Sequence, residues 1–173
     1  TKITYPSGRF VEYTYNGDGQ RTRMEDQSGA ATTYEYDTRG RAFRLRDGNG
    51  ALIVEYEFTE DGAVARRDLG NGTSTTYEYD ALGRLTHMIN RAGDDSITSR
   101  FDYTYDAANL DILVDTLDGQ WTYGYDGLGR LGSVETPQGR MITYQYDRAG
   151  NRISAVDAAV TTNYATNNLN QYT

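Results

Sequence analysis

Tyr77-Glu78-Tyr79-Asp80-Ala81-Leu82-Gly83-Arg84-Leu85 recurs almost unchanged as Tyr123-Gly124-Tyr125-Asp126-Gly127-Leu128-Gly129-Arg130-Leu131. Both copies run an aromatic at alternate positions, then an acid, then a glycine six residues after the first ring. Alternation places Tyr77 and Tyr79 on one face of a strand and Glu78 on the other. An acid followed by glycine then closes a turn: the carboxylate caps backbone N–H groups, and the glycine takes a left-handed conformation.

The aromatic doublet is found seven times, at Tyr13/Tyr15, Tyr34/Tyr36, Tyr56/Phe58, Tyr77/Tyr79, Tyr103/Tyr105, Tyr123/Tyr125 and Tyr144/Tyr146. Successive first rings lie 21, 22, 21, 26, 20 and 21 residues apart, and a degenerate eighth copy begins 20 further on at Tyr164. Self-similarity at this period is the signature of a repeat architecture. The repeat-defining residues are clearest in Tyr34, Tyr36, Asp37 and Gly40; Tyr77, Tyr79, Asp80 and Gly83; Tyr123, Tyr125, Asp126 and Gly129; and Tyr144, Tyr146, Asp147 and Gly150. Asn109 holds the glycine position in the fifth copy, consistent with positive φ, which Asn tolerates best after Gly.

A second turn falls midway through each unit, at Pro6-Ser7-Gly8, Gln27-Ser28-Gly29, Gly48-Asn49-Gly50, Gly70-Asn71-Gly72, Asp118-Gly119 and Pro137-Gln138-Gly139. Two turns in about 21 residues leave two strands of roughly six residues each. The returning strands carry Phe43 and Leu45, Leu85 and Met88, Leu131 and Val134, or Ile153 and Val156, expected to pack beside the tyrosines. The fold class is therefore all-β: tandem antiparallel hairpins of about 21 residues forming a continuous, curved or spiralling sheet. Residues 1–173 read as a single array, with the doublet rings of successive hairpins stacking on one another and each unit relying on its neighbours.

Composition agrees. The chain holds 16 Tyr and 19 Gly against 2 Pro and no Cys, with 37% hydrophobic residues, so tyrosine supplies much of the apolar area. A formal charge of −8 argues against nucleic acid as partner, since phosphate binding needs clustered Lys and Arg. No stretch is apolar for long enough to form a membrane helix. The first residue is Thr1 and the last copy is incomplete, so the chain is expected to be part of a longer one.

The pattern Tyr-x-Tyr-Asp-x-x-Gly-Arg-Leu, intact at 77–85 and 123–131, resembles the YD or Rhs repeat family. Such repeats occur in bacterial Rhs and wall-associated toxins, in insecticidal toxin complexes and in animal teneurins. The resemblance implies a long sheet spiralling into a hollow shell, which in the toxin relatives encloses a carboxy-terminal effector. It also implies a secreted or surface-displayed, bacterial context, with flanking repeats or an effector domain of the same longer chain as partners. The family's carboxy-terminal motif for self-cleavage is not matched around Pro6 or Pro137, so no catalytic residue is carried over.

Other chemistry is thinly represented. His87 is the sole histidine and, with no Cys, gives neither a usual transition-metal site nor a serine-type triad. Asp94/Asp95 and Asp115/Asp118 are paired carboxylates in expected turns, where Asp caps backbone. Asp47-Gly48-Asn49-Gly50 is similar to the start of a calcium loop but lacks the later ligands. Neither a catalytic residue, a metal ligand nor a cofactor site is therefore assigned. Arg41, Arg84 and Arg130 read as surface partners of the turn acids. The 26-residue spacing places an insertion at Arg91–Ser96, read as a longer hairpin. The alternative function is a carbohydrate-binding or adhesive surface module, with Trp121 and Tyr123 as glycan contacts, self-associating through its sheet edges.

Overall fold

The computed structural model describes residues 1–173 apart from Asn109, Asn168, Asn170 and Thr173, and apart from the side chain of Asp111. The Asn109 expectation thus lies outside the described residues. Sixteen strands are present, with no helix among the described residues. Hydrogen-bonded neighbours follow chain order from the first strand to the last, the mark of a meander of hairpins.

The chain divides into two compact units. The first, Thr1–Arg84 with Met88–Thr98, contains β1 (Lys2–Thr4), β2 (Phe10–Tyr15), β3 (Arg21–Asp26), β4 (Ala31–Tyr36), β5 (Ala42–Asp47), β6 (Leu52–Phe58), β7 (Val64–Leu69) and β8 (Ser74–Tyr79). Strands β9 (Leu85–Arg91) and β10 (Ile97–Tyr105) contribute residues to both units. The second unit, Leu85–His87 with Ser99–Thr173, holds β11 (Asp111–Thr116), β12 (Gly119–Tyr125), β13 (Leu131–Glu135), β14 (Met141–Tyr146), β15 (Arg152–Asp157) and β16 (Val160–Asn163).

Register sets the aliphatic residues against the rings. Tyr13 faces Met24, Tyr34 faces Leu45, Tyr103 faces Val114 and Tyr123 faces Val134. Phe43 and Ile153 behave differently. Glu35 pairs with Arg44 while Tyr36 pairs with Ala42, which leaves Phe43 as an extra residue in a β-bulge. The same shift occurs at Tyr15, Phe58, Tyr105, Tyr125 and Tyr146, each the second ring of a doublet, and a separate shift falls at Leu45/Arg46. Ile153 is accordingly 41% exposed at its bulge, and Ala155 is the residue opposite Tyr144.

Burial is shallow, as a single sheet layer demands. Val54, Val114 and Val134 are the buried hydrophobic residues, and among the described residues no large side chain is fully enclosed. The doublet rings are half-buried, apart from the more exposed Tyr15. On the opposite face charges alternate across strands: Arg44 lies between Glu35, 3.1 Å away, and Glu55, and Arg46 meets Glu35 at 3.2 Å. The hydrogen bond from Arg44 and its charge hold the Glu55 carboxyl below its ordinary range.

The 26-residue spacing makes a longer hairpin, as expected, but the extra residues do not lie in the turn. The turn at Arg91–Ser96 is no longer than others: Asp95 N–H donates to Ala92 O and Ala92 N–H to Ser96 O, with Asp95 at φ 64 in the place of glycine. The additional residues lengthen the strands instead, β9 to seven residues and β10 to nine.

Candidate functional site: the repeated clasp at the tyrosine-aspartate turn

The recurring chemistry of the repeat meets at one turn, and Asp37–Arg41 shows its construction. Gly40 N–H donates to Asp37 O and Asp37 N–H to Arg41 O, both at 3.0 Å, closing a three-residue loop with Gly40 at φ 79. Asp37 Oδ1 accepts N–H bonds from Arg39 and Arg41, each at 2.9 Å. Its Oδ2 accepts the Arg41 guanidinium, 2.8 Å from Nε and 2.7 Å from the terminal nitrogen. Asp80 with Arg84 and Asp126 with Arg130 repeat both halves of this arrangement. Asn151 stands in for the arginine opposite Asp147, donating from Nδ2 at 2.9 Å.

These bonds favour the charged carboxylate, and the turn acids sit below the ordinary aspartate range. At Asp80 the Arg84 side-chain bond is the largest cause; at Asp37 and Asp126 it is the backbone N–H of Arg41 or Arg130. At Asp147 it is the side chain of Asn151.

The arginines do more than pair with their own acids. Arg41 lies with its guanidinium carbon 4.0 Å from the ring centre of Phe58, and Arg130 lies 4.7 Å from that of Tyr146. In both cases the ring is the second aromatic of the next unit. Arg21 stands between Tyr13 and Tyr34, at 4.6 and 5.6 Å, and Arg152 covers Tyr144 at 4.4 Å. At these positions a guanidinium and not a second ring meets the ring of another unit, which corrects the expectation of ring upon ring there. Ring pairs run along a strand at Tyr56–Phe58 and Phe101–Tyr103, Tyr164 meets Tyr172 edge-on, and the guanidinium groups of Arg21, Arg41 and Arg130 reach rings of the next unit. Nor are Arg41 and Arg130 simple surface partners, being under a third exposed and touching two units.

The second tyrosine has its own task. Its hydroxyl donates to the carbonyl of the first residue of the preceding strand: Tyr36 to Arg21, Tyr79 to Val64, Tyr105 to Leu85 and Tyr146 to Leu131, at 2.5 to 2.9 Å. Composition and spacing gave no hint of this bond. The preference for Tyr over Phe at this position, broken only by Phe58, was the available signal.

The remaining candidates fall into place as local structure. His87 Nδ1 lies 2.5 Å from Asp102, which also meets Arg100 at 2.9 Å. Asp94 accepts the N–H and hydroxyl of Ser96, which lowers its pKa, and Asp115 meets Arg100 at 3.2 Å. Asp118 N–H donates to the Thr116 hydroxyl at 3.2 Å. Asp47 caps its turn through Asn49 and Ala51 N–H, as Asp26 does through Ser28 and Ala30. No group of three potential metal ligands occurs among the described residues. Trp121 is half-buried opposite Val114, and Tyr123 is half-buried opposite Val134.

The Teneurin YD-shell family model matches residues 2–119, more than half of the sequence. The chain belongs to the Teneurin YD-shell family. The RHS Repeat model matches residues 133–162 of this YD-shell chain. Among solved structures, the Tc holotoxin pore of Photorhabdus luminescens, carrying a mutation in TccC3, is 21% identical with a TM-score of 0.81, over 95% of this chain and 10% of that one. TcdB2-TccC3 without its hypervariable C-terminal region gives the same values, and the TcdB2-TccC3-Cdc42 structure matches at 21% identity over 92% of this chain and 10% of that one with a TM-score of 0.79. These likenesses show a shared fold, and the YD-shell chain spans about a tenth of the length of the chains it matches. No curated protein matches it.

Proposed function

We propose that the chain is a non-catalytic stretch of shell wall, a single repeat array within a longer, exported bacterial polypeptide, and that the shell encloses an effector segment of the same polypeptide. One observation carries the reading: where the acid, the arginine and the tyrosine hydroxyl recur, they are engaged with neighbouring strands and turns. A site for a substrate would hold such groups free and in one place, whereas here they are distributed over several units of the array. The bulges at Tyr15, Tyr36, Phe58, Tyr105, Tyr125 and Tyr146 bend their strands and raise the local twist, which suits a sheet that must curl.

Protease protection tests the proposal. In the full-length polypeptide, the effector is expected to resist a soluble protease until the clasps are loosened by Arg41→Ala and Arg130→Ala together. An effector digested equally fast with and without those changes would contradict the shell. So would glycan-array capture of the folded chain that disappears on changing Trp121 and Tyr123 to Ala, which would favour the adhesive alternative.

A further inference from the structure

The third turn departs from the pattern in a way that leaves a space. Thr59 stands where other units have Asp, and Ala63 where Arg41, Arg84 and Arg130 stand. Thr59 still closes the turn, its hydroxyl accepting Ala63 N–H at 3.1 Å, but no guanidinium leaves this turn for the next unit. In two other turns that group covers the second ring of the following unit, as Arg41 covers Phe58 and Arg130 covers Tyr146. The ring that Ala63 would have to cover is Tyr79. A cavity of about 430 Å³ opens there, lined in part by Thr59, Asp61, Ala63, Tyr79, Asp80 and Gly83.

We infer that this cavity is an arginine slot: it receives the guanidinium of an arginine side chain presented by another polypeptide segment, stacked on Tyr79 as Arg41 is on Phe58. Three features select the ligand. The ring face attracts a cation, and a planar guanidinium can lie flat on it while keeping its N–H groups for the rim carboxylates. Asp61, exposed at the tip of the turn, and the Asp80 carboxylate place negative charge on the rim, though Asp80 already holds Arg84 at 2.6 Å. The ring itself is anchored, because its hydroxyl donates to Val64 O at 2.9 Å, so the slot needs no rearrangement to form. Burial raises the Tyr79 pKa, consistent with a partly desolvated ring, where such contacts are stronger. An arginine-bearing segment enclosed by or docked on the sheet is the occupant this chemistry fits.

The test is calorimetric or NMR titration of the full chain with N-acetyl-arginine amide, alongside the citrulline analogue and guanidinium ion. Saturable binding of the arginine probe is expected, with the uncharged citrulline analogue weaker by about tenfold, the scale of one cation–π contact. Guanidinium ion alone binding as well as the arginine probe would show a bare cation site and overturn the side-chain assignment. Ala63→Arg supplies the missing group internally and is expected to abolish probe binding and raise Tm. Ala63→Leu, matching Leu110 at the same position of another unit, is expected to block the probe without adding charge. Undiminished binding in either variant, or equal binding of citrulline, overturns the inference.

Discussion

The hydroxyl of Tyr79 donates to the carbonyl of Val64, fifteen residues upstream and 2.9 Å away. Val64 opens β7 and Tyr79 ends β8, and the described ladder between the two strands runs only from Arg66–Thr76 to Asp68–Ser74. The phenol therefore partners a backbone oxygen at the end of the hairpin that the ladder does not reach. Tyr79→Phe should destabilise the chain by about 1 kcal/mol, with somewhat more if the carbonyl stays dry. Urea denaturation of the two proteins measures this; coincident midpoints would show that the bond contributes nothing.

The same bond has an alkaline consequence. Burial raises the Tyr79 pKa above its ordinary value of 10.0, so the fold prefers the neutral phenol. Its contribution is fully present below the unfolded value and is lost as pH rises through the folded one. Stability should fall above about pH 10, and Tyr79→Phe should make that fall shallower. Thermal unfolding recorded at several pH values from 8 upward, for wild type and variant, checks the difference in slope.

On the acid side the sign reverses. Asp37, Asp80, Asp126 and Asp147 have lowered pKa values, so their contribution is present above the unfolded aspartate range and is lost as pH falls through the folded values. Asp80→Asn keeps the Oδ1 acceptor, as Asn16 does with the N–H groups of Asp18 and Gln20, but gives up the charge that holds Arg84. It should fold, with a lower Tm at neutral pH and a flatter decline below about pH 4. Asp80→Ala, which removes the cap as well, should lower Tm further.

Two glycines should fail for different reasons. Gly83 has φ 77 and open space around an added Cβ, so Gly83→Ala should cost about 1–2 kcal/mol of left-handed strain. At Gly70 a Cβ would come within 1.8 Å of the Leu52 carbonyl oxygen, which only a backbone shift relieves. Gly70→Ala should be the more damaging of the two in chemical denaturation.

Much of this was legible in the sequence because turns carry local signatures. Acid, glycine and spacing located both turns of each unit, and ring alternation gave the strands and their faces. The bulge at Phe43 was hidden because it recurs from unit to unit, so a repeated spacing cannot reveal that one residue is extra. The role of Arg41 was hidden because its second partner, Phe58, lies in the next unit, and sequence spacing within a unit speaks only of Asp37. The Arg91–Ser96 insertion was misplaced because added residues lengthen a paired strand as readily as a loop when both strands grow together. Ala63 was passed over for a simpler reason: its significance is the absence of a side chain that other units supply.

The central claim is that units hold one another through the guanidinium of one turn and the ring of the next. A double-mutant cycle on Arg41 and Phe58, using Arg41→Met and Phe58→Leu, measures that coupling directly. The account predicts that the two losses fall short of additivity by about 0.5–1 kcal/mol in favour of the native pair. Additive losses, with no coupling between the two positions, would contradict it.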